Sequence, residues 1–170
     1  MSVLSLTAAR RFLQVRDGVV NADQDTELTE AIAAAEDWVA GKVGPLSPTS
    51  VTARVSGGTD TLILPEVPAL SLTSVTPVGG TALDVTQLHV GKRTGLVKNQ
   101  TVTGAVFIAT EYDVVYQAGW LPLPSDLVQA VKEALLYFWV PQRGNARNTK
   151  PATLDRAKEL VADYEPAGFA

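Results

Sequence analysis

The sequence offers few side chains that could carry out acid–base or nucleophilic chemistry. It contains one histidine, His89, and no cysteine, which excludes thiol nucleophiles, thiolate metal sites and disulfides. No Gly-x-Ser-x-Gly segment is present. A serine–lysine pairing stays open, although nothing in the sequence marks one. Because His89 lies among alternating apolar residues, we interpret it as a packed or surface histidine, and we predict no catalytic residue.

Two segments come close to ligand-binding motifs and fail at defined positions. Gly91-Lys92-Arg93-Thr94 resembles the end of a phosphate-binding loop, but Thr86 stands where that loop needs its first glycine, and an arginine replaces the magnesium-binding Ser or Thr. Asp23, Asp25 and Glu27 alternate as in a calcium loop, without the glycine and the final glutamate that such a loop requires. We therefore interpret the first as a basic hairpin tip and the second as helix-capping acids, and we expect no cofactor and no metal.

Composition and charge narrow the class of protein. A chain of 170 residues, 46% of them apolar, is long enough to bury one substantial core. The net charge of −4 argues against a strongly basic nucleic-acid binder, and no apolar run approaches the roughly 18 residues of a membrane span. Many Asp and Glu residues are present and none forms a distinguished pair, so a small enzyme that uses carboxylates stays open as an alternative.

Threonine divides the chain into a central region and two flanks. Of 17 threonines, 12 lie between Thr49 and Thr110, interleaved with Val, Leu and Ile, which is typical of strands. The flanks show the apolar spacing of amphipathic helices. The predicted helices run from Leu6 to about Val15 with Thr7 as the cap, from Asp25 or Thr26 to about Val43, from Pro124 to about Val140, and from Thr153 to Tyr164.

The central region predicts a small antiparallel sheet. Gly57-Gly58 and Gly79-Gly80 are suited to tight hairpins because glycine accepts positive φ. Without room for crossover helices, the strands should follow one another as a meander. The strand candidates are Val51/Ala53/Val55, Leu62/Leu64, Leu70/Leu72, Leu83/Val85, Leu88/Val90, Val106/Ile108 and Val114/Tyr116. The predicted fold class is therefore α+β, with helices packed around a small β meander and a C-terminal helical arm.

The predicted domain organisation has a core and an arm. The core is residues 1–141, made of a helix pair (4–44), the meander (50–120) and the long helix (124–141). Residues 142–170 form a flexible hinge and the helical arm, because residues 142–150 carry three basic and no large apolar side chains.

Two regions of the flanks are candidates for subunit contacts. The second helix is rich in acids, and the end of the third helix is apolar nearly all round, so something must cover that end. The cover is either the last helix of the same chain or a second subunit. The candidate interface residues are Glu27, Glu30, Glu36, Asp37, Leu136, Tyr137 and Trp139.

The order of these elements resembles the head–tail connector (adaptor, or head-completion) proteins of long-tailed bacteriophages. The resemblance covers most of residues 4–144, and the chain departs from it in the threonine-rich stretch 83–104 and at Pro141. The residues that carry it are Leu6-Thr7, Leu28, Ile32, Ala34-Ala35, Trp38, Leu64-Pro65 through Pro68, Leu72, Val75, Val114-Val115-Tyr116-Gln117-Ala118-Gly119-Trp120, Leu123-Pro124, Leu127, Ala130, Leu135 and Arg143.

The resemblance implies a structural protein of the virion that is assembled in the host cytoplasm. Such proteins form homo-oligomeric rings, usually dodecamers, beneath the portal protein, and they join the capsid vertex to the stopper and tail. They have no catalytic residues, and DNA only passes through their lumen during packaging and ejection. Their C-terminal parts reach the portal, which makes the arm the candidate portal-binding region: Arg143, Arg147, Lys150, Leu154, Leu160, Val161 and Tyr164. A monomeric β-sheet binding module is a further alternative.

Overall fold

The computed structural model describes residues 2–14, 22–100, 106–139 and 154–166, which belong to two compact units. The helical unit comprises Met1–Leu46 and Leu123–Glu165. The strand unit comprises Ser47–Pro122 and Pro166–Ala170. The predicted hinge, residues 142–150, lies outside the described residues, so the division into core and arm stays a prediction.

The described elements are four α-helices, six strands and one 3-10 turn. In chain order they are α1 (Leu6–Phe12), α2 (Ala22–Val43), β1 (Thr49–Ser56), β2 (Thr61–Ile63), β3 (Ala69–Pro77), the 3-10 turn (Val85–Gln87), β4 (Leu88–Val90), β5 (Leu96–Asn99), β6 (Glu111–Ala118), α3 (Ser125–Trp139) and α4 (Asp155–Ala162). The predicted α+β class is confirmed.

The first two helices begin at other residues than those predicted. Ser5, not Thr7, caps α1, because its side chain accepts a hydrogen bond from the Ala8 N–H at 3.2 Å. The second helix begins at Ala22, before the predicted caps, and Asp25 therefore lies within its first turn. The Asp25 carboxylate pairs there with Arg10 of α1. Asp25, which the sequence predicted as a helix cap, therefore joins α1 to α2 through an ion pair.

The predicted amphipathic spacing is confirmed in α2 and α3, where rows of apolar residues three and four positions apart (apolar stripes) form the buried faces of the helical unit. In α3, Phe138 completes the stripe and is partly exposed. Helices α2, α3 and α4 pack against one another in this unit. The buried residues of the two stripes are Leu28, Ile32, Ala35, Val39 and Val43 in α2, and Leu127, Ala130, Val131, Ala134 and Leu135 in α3.

The strand unit contains two antiparallel three-stranded sheets, and their strands are not in chain order. The first sheet has the order β1-β6-β3 and the second has the order β2-β5-β4. The antiparallel pairing was predicted, but a meander would place β2 between β1 and β3. Strand β6 takes that place, with β1 on one side and β3 on the other, and its alternate residues Tyr112, Val114, Tyr116 and Ala118 form one buried face.

Two strand predictions failed, and one strand was missed, in the threonine-rich stretch and its neighbourhood. Leu83 lies outside any strand, and Val85 begins the 3-10 turn, which Asp84 caps by accepting from the Thr86 N–H at 3.0 Å. Val106 and Ile108 lie outside any assigned strand, with exposed fractions of 51% and 88%. Strand β5 was not predicted, since its apolar positions are few.

The glycine pairs take the predicted positive φ without making hairpins. Gly58 has φ of 81° and Gly79 has φ of 76°. The strands on either side of Gly58 belong to different sheets, and so the chain turns there without pairing β1 with β2. Glycine composition identified the turns, whereas the strand partners depend on contacts distant in sequence.

Candidate assembly surfaces

The described part of the chain contains no group of three or more His, Asp or Glu residues that could hold a metal ion. His89 lies exposed on β4, opposite Lys98 of β5. Lys92 and Arg93 lie in the turn between these strands, which confirms the predicted basic hairpin tip. Among the described helices, none is both long and apolar enough to cross a membrane.

Three of the four acids predicted on α2 form an exposed face. Glu27, Glu30 and Asp37 are exposed, and their spacing of three and seven residues places them along one side of the helix. None of them takes part in the ion pairs found among the described residues. This acidic face is therefore free to meet positive charge from another molecule.

Glu36, the fourth acid, is occupied within the chain. Its Oε1 accepts hydrogen bonds from the Ser2 hydroxyl at 2.7 Å, the Val3 N–H at 2.7 Å and the Leu4 N–H at 3.0 Å. These bonds tie the segment before α1 to α2, and Leu4 is buried there. The sequence could not distinguish Glu36 from its neighbours, because its partners are mainly backbone groups.

The end of α3 is covered more fully than its composition suggested. Trp139 is only 6% exposed, and Leu136 is half-buried. Tyr137 remains 41% exposed, and its ring meets Phe138 edge-on with centroids 5.2 Å apart. Of the three apolar interface candidates, Tyr137 thus presents the most surface.

Helix α4, the last helix, lies against α3. Its Ala157 and Val161 are buried. The Tyr164 hydroxyl donates to Asp126 Oδ2 of α3 at 3.1 Å. The half-buried residues Leu154 and Leu160 complete the stripe.

The basic part of the predicted portal-binding region lies outside the described residues. It consists of Arg143, Arg147 and Lys150.

A charged cluster lies on the exposed face of β1 and β6. Arg54 donates to both carboxylate oxygens of Asp113, at 2.8 and 3.2 Å, and lies 3.9 Å from Glu111. The hydrogen bond from Arg54 holds the pKa of the Asp113 carboxyl below its ordinary value. The same bond raises the pKa of Arg54. The single charge on β1 is thereby balanced within the sheet.

A buried tyrosine holds the loop that enters β3. The Tyr116 hydroxyl accepts from the Glu66 N–H at 3.0 Å and donates to the Glu66 carbonyl at 3.2 Å. Burial raises the pKa of Tyr116. One side chain of β6 therefore satisfies both backbone groups of a loop residue 50 positions away in sequence.

An apolar groove of about 510 Å³ is open on the strand unit. Phe107 and Tyr112 lie beside it with their rings edge-on, 5.5 Å between centroids. The alternating pattern of Val106 and Ile108 had marked this segment, but as a paired strand. The residues that line the groove are Pro77, Leu83, Asn99, Val106, Phe107, Ile108, Ala109 and Tyr112.

Comparison with known proteins identifies the fold through structure. No protein-family model and no curated protein matches this sequence. A chain in the neck of the empty gene transfer agent (GTA) particle, computed with C6 symmetry, aligns with a TM-score of 0.70 and 19% identity over 98% of this chain and 91% of that chain. A chain in the neck of the native GTA particle, computed with C12 symmetry, aligns with a TM-score of 0.65 and 16% identity over 100% of this chain and 95% of that chain.

A chain in the virion of the native gene transfer agent (GTA) particle gives a TM-score of 0.64 and 19% identity over 98% of this chain and 91% of that chain. The expected resemblance to head–tail connectors is thus confirmed at the level of the fold, which this chain shares almost from end to end with chains of a GTA neck.

Proposed function

We propose that this protein is a structural neck component of a phage-like particle. It forms a homo-oligomeric ring beneath the portal, joins the capsid vertex to the stopper and tail, and extends the channel through which DNA passes. The observation that carries the proposal is the shared fold over 98% of this chain and 91% of a chain from a GTA neck. No catalytic role is proposed.

The acidic face of α2 is proposed as one side of the ring contact. In a closed ring each subunit presents two different surfaces, so opposite charges on those surfaces can fix the register. Glu30 and Asp37 are exposed acids on this face. Reversing both to Lys should weaken assembly, and the weakening should be larger at low salt than at high salt because exposed charges are screened.

The matched control for this charge reversal is Asp60→Lys with Glu66→Lys, which also reverses two exposed acids, both in the strand unit. Ring yield at each salt concentration is measured by native mass spectrometry. Equal yields of the reversed variant and the wild type at both salt concentrations would remove α2 from the contact.

The C-terminal region is proposed to bind the portal. Arg143, Arg147 and Lys150 supply positive charge, and the stripe of α4 supplies apolar surface. Because Ala157 and Val161 are buried within the helical unit, docking of the stripe on the portal requires α4 to leave α3. Amide exchange is compared between the free protein and its complex with the portal. If α4 stays protected while the α3 face that it covered becomes exposed, the helix has moved to the portal. If protection is unchanged, the contact is limited to the basic residues.

The lumen is proposed to let DNA slide without holding it. Each phosphate that a protein neutralises adds affinity through counterion release, and the net charge of −4 works against such binding. We expect no submicromolar binding of duplex DNA by the isolated protein at physiological salt. Such binding, measured by fluorescence anisotropy, would contradict a passive channel.

The decisive experiment is the mass and shape of the protein alone and with the portal protein of its own particle. A ring of defined symmetry, seen by native mass spectrometry and electron microscopy, supports the proposal. A chain that stays near 18.0 kDa in both conditions favours the monomeric binding module. Turnover of a substrate on a broad hydrolase panel favours the enzyme.

A further inference from the structure

Strand β1 has one edge that pairs with nothing in the described part of the chain. The Gly57 N–H donates to the Thr110 carbonyl at 2.9 Å, and the pairing of β1 with β6 continues in this register to Thr49 and Ala118. In antiparallel pairs, bonded and non-bonded residues alternate. The even-numbered residues of β1 therefore direct their N–H and C=O groups away from β6: Ser50, Thr52, Arg54 and Ser56.

This open edge lacks the features that usually keep a strand from pairing with another chain. Such features are proline, bulges, short length and outward charge. Strand β1 is eight residues long, contains no proline, and keeps an unbroken register with β6. Its one charged side chain, Arg54, is bound to Asp113. The edge is a ready template for strand addition.

A second open edge lies at Val106–Ile108. The Phe107 backbone is occupied, since its N–H donates to the Thr59 carbonyl at 2.7 Å and its carbonyl accepts from the Gly58 N–H at 2.6 Å. The N–H and C=O groups of Val106 and Ile108 make no hydrogen bond within the described residues. Their side chains are 51% and 88% exposed, and the segment forms one wall of the apolar groove.

We propose that these two edges pair with each other between neighbouring copies of this chain. Strand β1 of one copy adds to the Val106–Ile108 segment of the next, and Ile108 and Val106 become covered. Two outward residues on each strand form about four backbone hydrogen bonds. The partner at each edge is thus a second copy of this chain, and the inference rests on the proposed ring.

The two edges fit a ring because they are different surfaces of one chain. A self-complementary contact closes as a dimer, whereas a head-to-tail contact joins each copy to two neighbours and forms a ring when the rotation between copies closes. The two edges, β1 and the Val106–Ile108 segment, belong to the same compact unit. The fold is shared with chains of neck assemblies that have C6 or C12 symmetry.

Proline at an outward-directed position tests each edge. Thr52→Pro removes an outward N–H from β1 and leaves the bonds to β6, and Ile108→Pro does the same at the second edge. Each variant alone should lose the ring and run as a monomer. Thr52→Val and Ile108→Thr are the comparison variants: they change the side chain but keep the N–H, so each should assemble better than the proline variant at the same position.

Mixing the two proline variants is the sharpest readout. Each keeps one intact edge, so an equimolar mixture should form a one-to-one heterodimer that grows no further. Native mass spectrometry with one isotope-labelled partner identifies that species. Far-UV circular dichroism establishes that each variant is folded, and a heterodimer could not form from unfolded chains.

Cysteine cross-linking tests the same contact without proline. The chain has no cysteine, so Thr52→Cys mixed with Ile108→Cys can form a disulfide only between copies. A cross-linked dimer from the mixture, with little from either variant alone, supports the pairing. If both proline variants still form rings like those of the wild type, the pairing is wrong and the proposed function is unaffected. A wild type that never assembles, with no cross-link, contradicts both.

Discussion

The two edges of the β1-β6-β3 sheet are built differently. Strand β3 has register shifts against β6 between Ala69 and Ser71 and between Leu72 and Ser74. Its backbone is also bonded on the outside, because the Ala69 N–H donates to Lys92 and the Leu83 N–H donates to Val75, both at 2.8 Å. Strand β1 has no register shift, and its outer edge bonds to nothing in the described part of the chain.

The difference between the two edges indicates where a strand from a partner can add to this sheet. A bulged and covered edge cannot accept a long strand, whereas a regular and uncovered edge can. Strand β6 lies between the two edge strands. Substitutions in β6 or directly after it can therefore test separately how β1 and β3 are held in the sheet.

The largest expected effect comes from Gly119, which follows β6 and lies close to the chain entering β1. Its φ is 126°, and an added Cβ would lie 2.4 Å from the Ser47 carbonyl oxygen. Gly119→Ala should lower the free energy of unfolding by about 2–4 kcal/mol, through overpacking and backbone strain. It should loosen β1 from β6 at the Thr49 end, which urea denaturation and amide exchange would measure.

The control for this substitution is Gly41→Ala in α2. No atom lies within 4 Å of the position that its Cβ would take. Alanine should therefore be neutral or stabilise the helix by about 0.5–1 kcal/mol. Equal losses of stability at Gly119 and Gly41 would show that the approach to Ser47 does not matter.

An intermediate effect is expected at Tyr116, which holds the loop before β3. Tyr116→Phe leaves both backbone groups of Glu66 without their partner, and it should cost about 1–3 kcal/mol in the free energy of unfolding. Tyr137→Phe is the control: that ring is 41% exposed, and its loss of a hydroxyl should change stability by less than about 0.5 kcal/mol.

Alkaline pH sharpens this prediction. The pKa of Tyr116 is raised in the folded state, so its contribution to stability is present below the unfolded pKa of about 10 and is lost as pH rises through the folded value. The stability difference between wild type and Tyr116→Phe should therefore shrink at alkaline pH. A constant difference across that range would argue against a buried hydroxyl.

The smallest effect is expected at the Arg54–Asp113 pair, which neutralises the charge on the open edge. The pKa of Asp113 is lowered, so its stabilisation is present above the unfolded pKa of about 4 and is lost as pH falls through the folded value. In Arg54→Met the Asp113 pKa should return toward its ordinary value in an NMR titration. Lys98→Met, which removes another exposed cation of the strand unit, should leave it unchanged.

Much of the helical unit was predictable from sequence because helix periodicity is local. The buried stripes of α2 and α3 follow directly from apolar residues three and four positions apart. Helix periodicity also predicts that Glu27, Glu30 and Asp37 lie along one side of α2, where they are exposed. The roles of Asp25 and Glu36 were not predictable, since Arg10 and the segment before α1 reach them only in the folded chain.

In the strand unit the sequence by itself determined that strands and turns would form, and tertiary structure decided their partners. Alternation in Val114 and Tyr116 marks β6, but nothing in that pattern says that β1 and β3 will lie on either side of it. The same alternation at Val106 and Ile108 predicted a strand, but within the described chain only Phe107 between them is bonded, to Gly58 and Thr59. A strand is completed by hydrogen bonds to residues distant in sequence or on another molecule, whereas a helix contains its own.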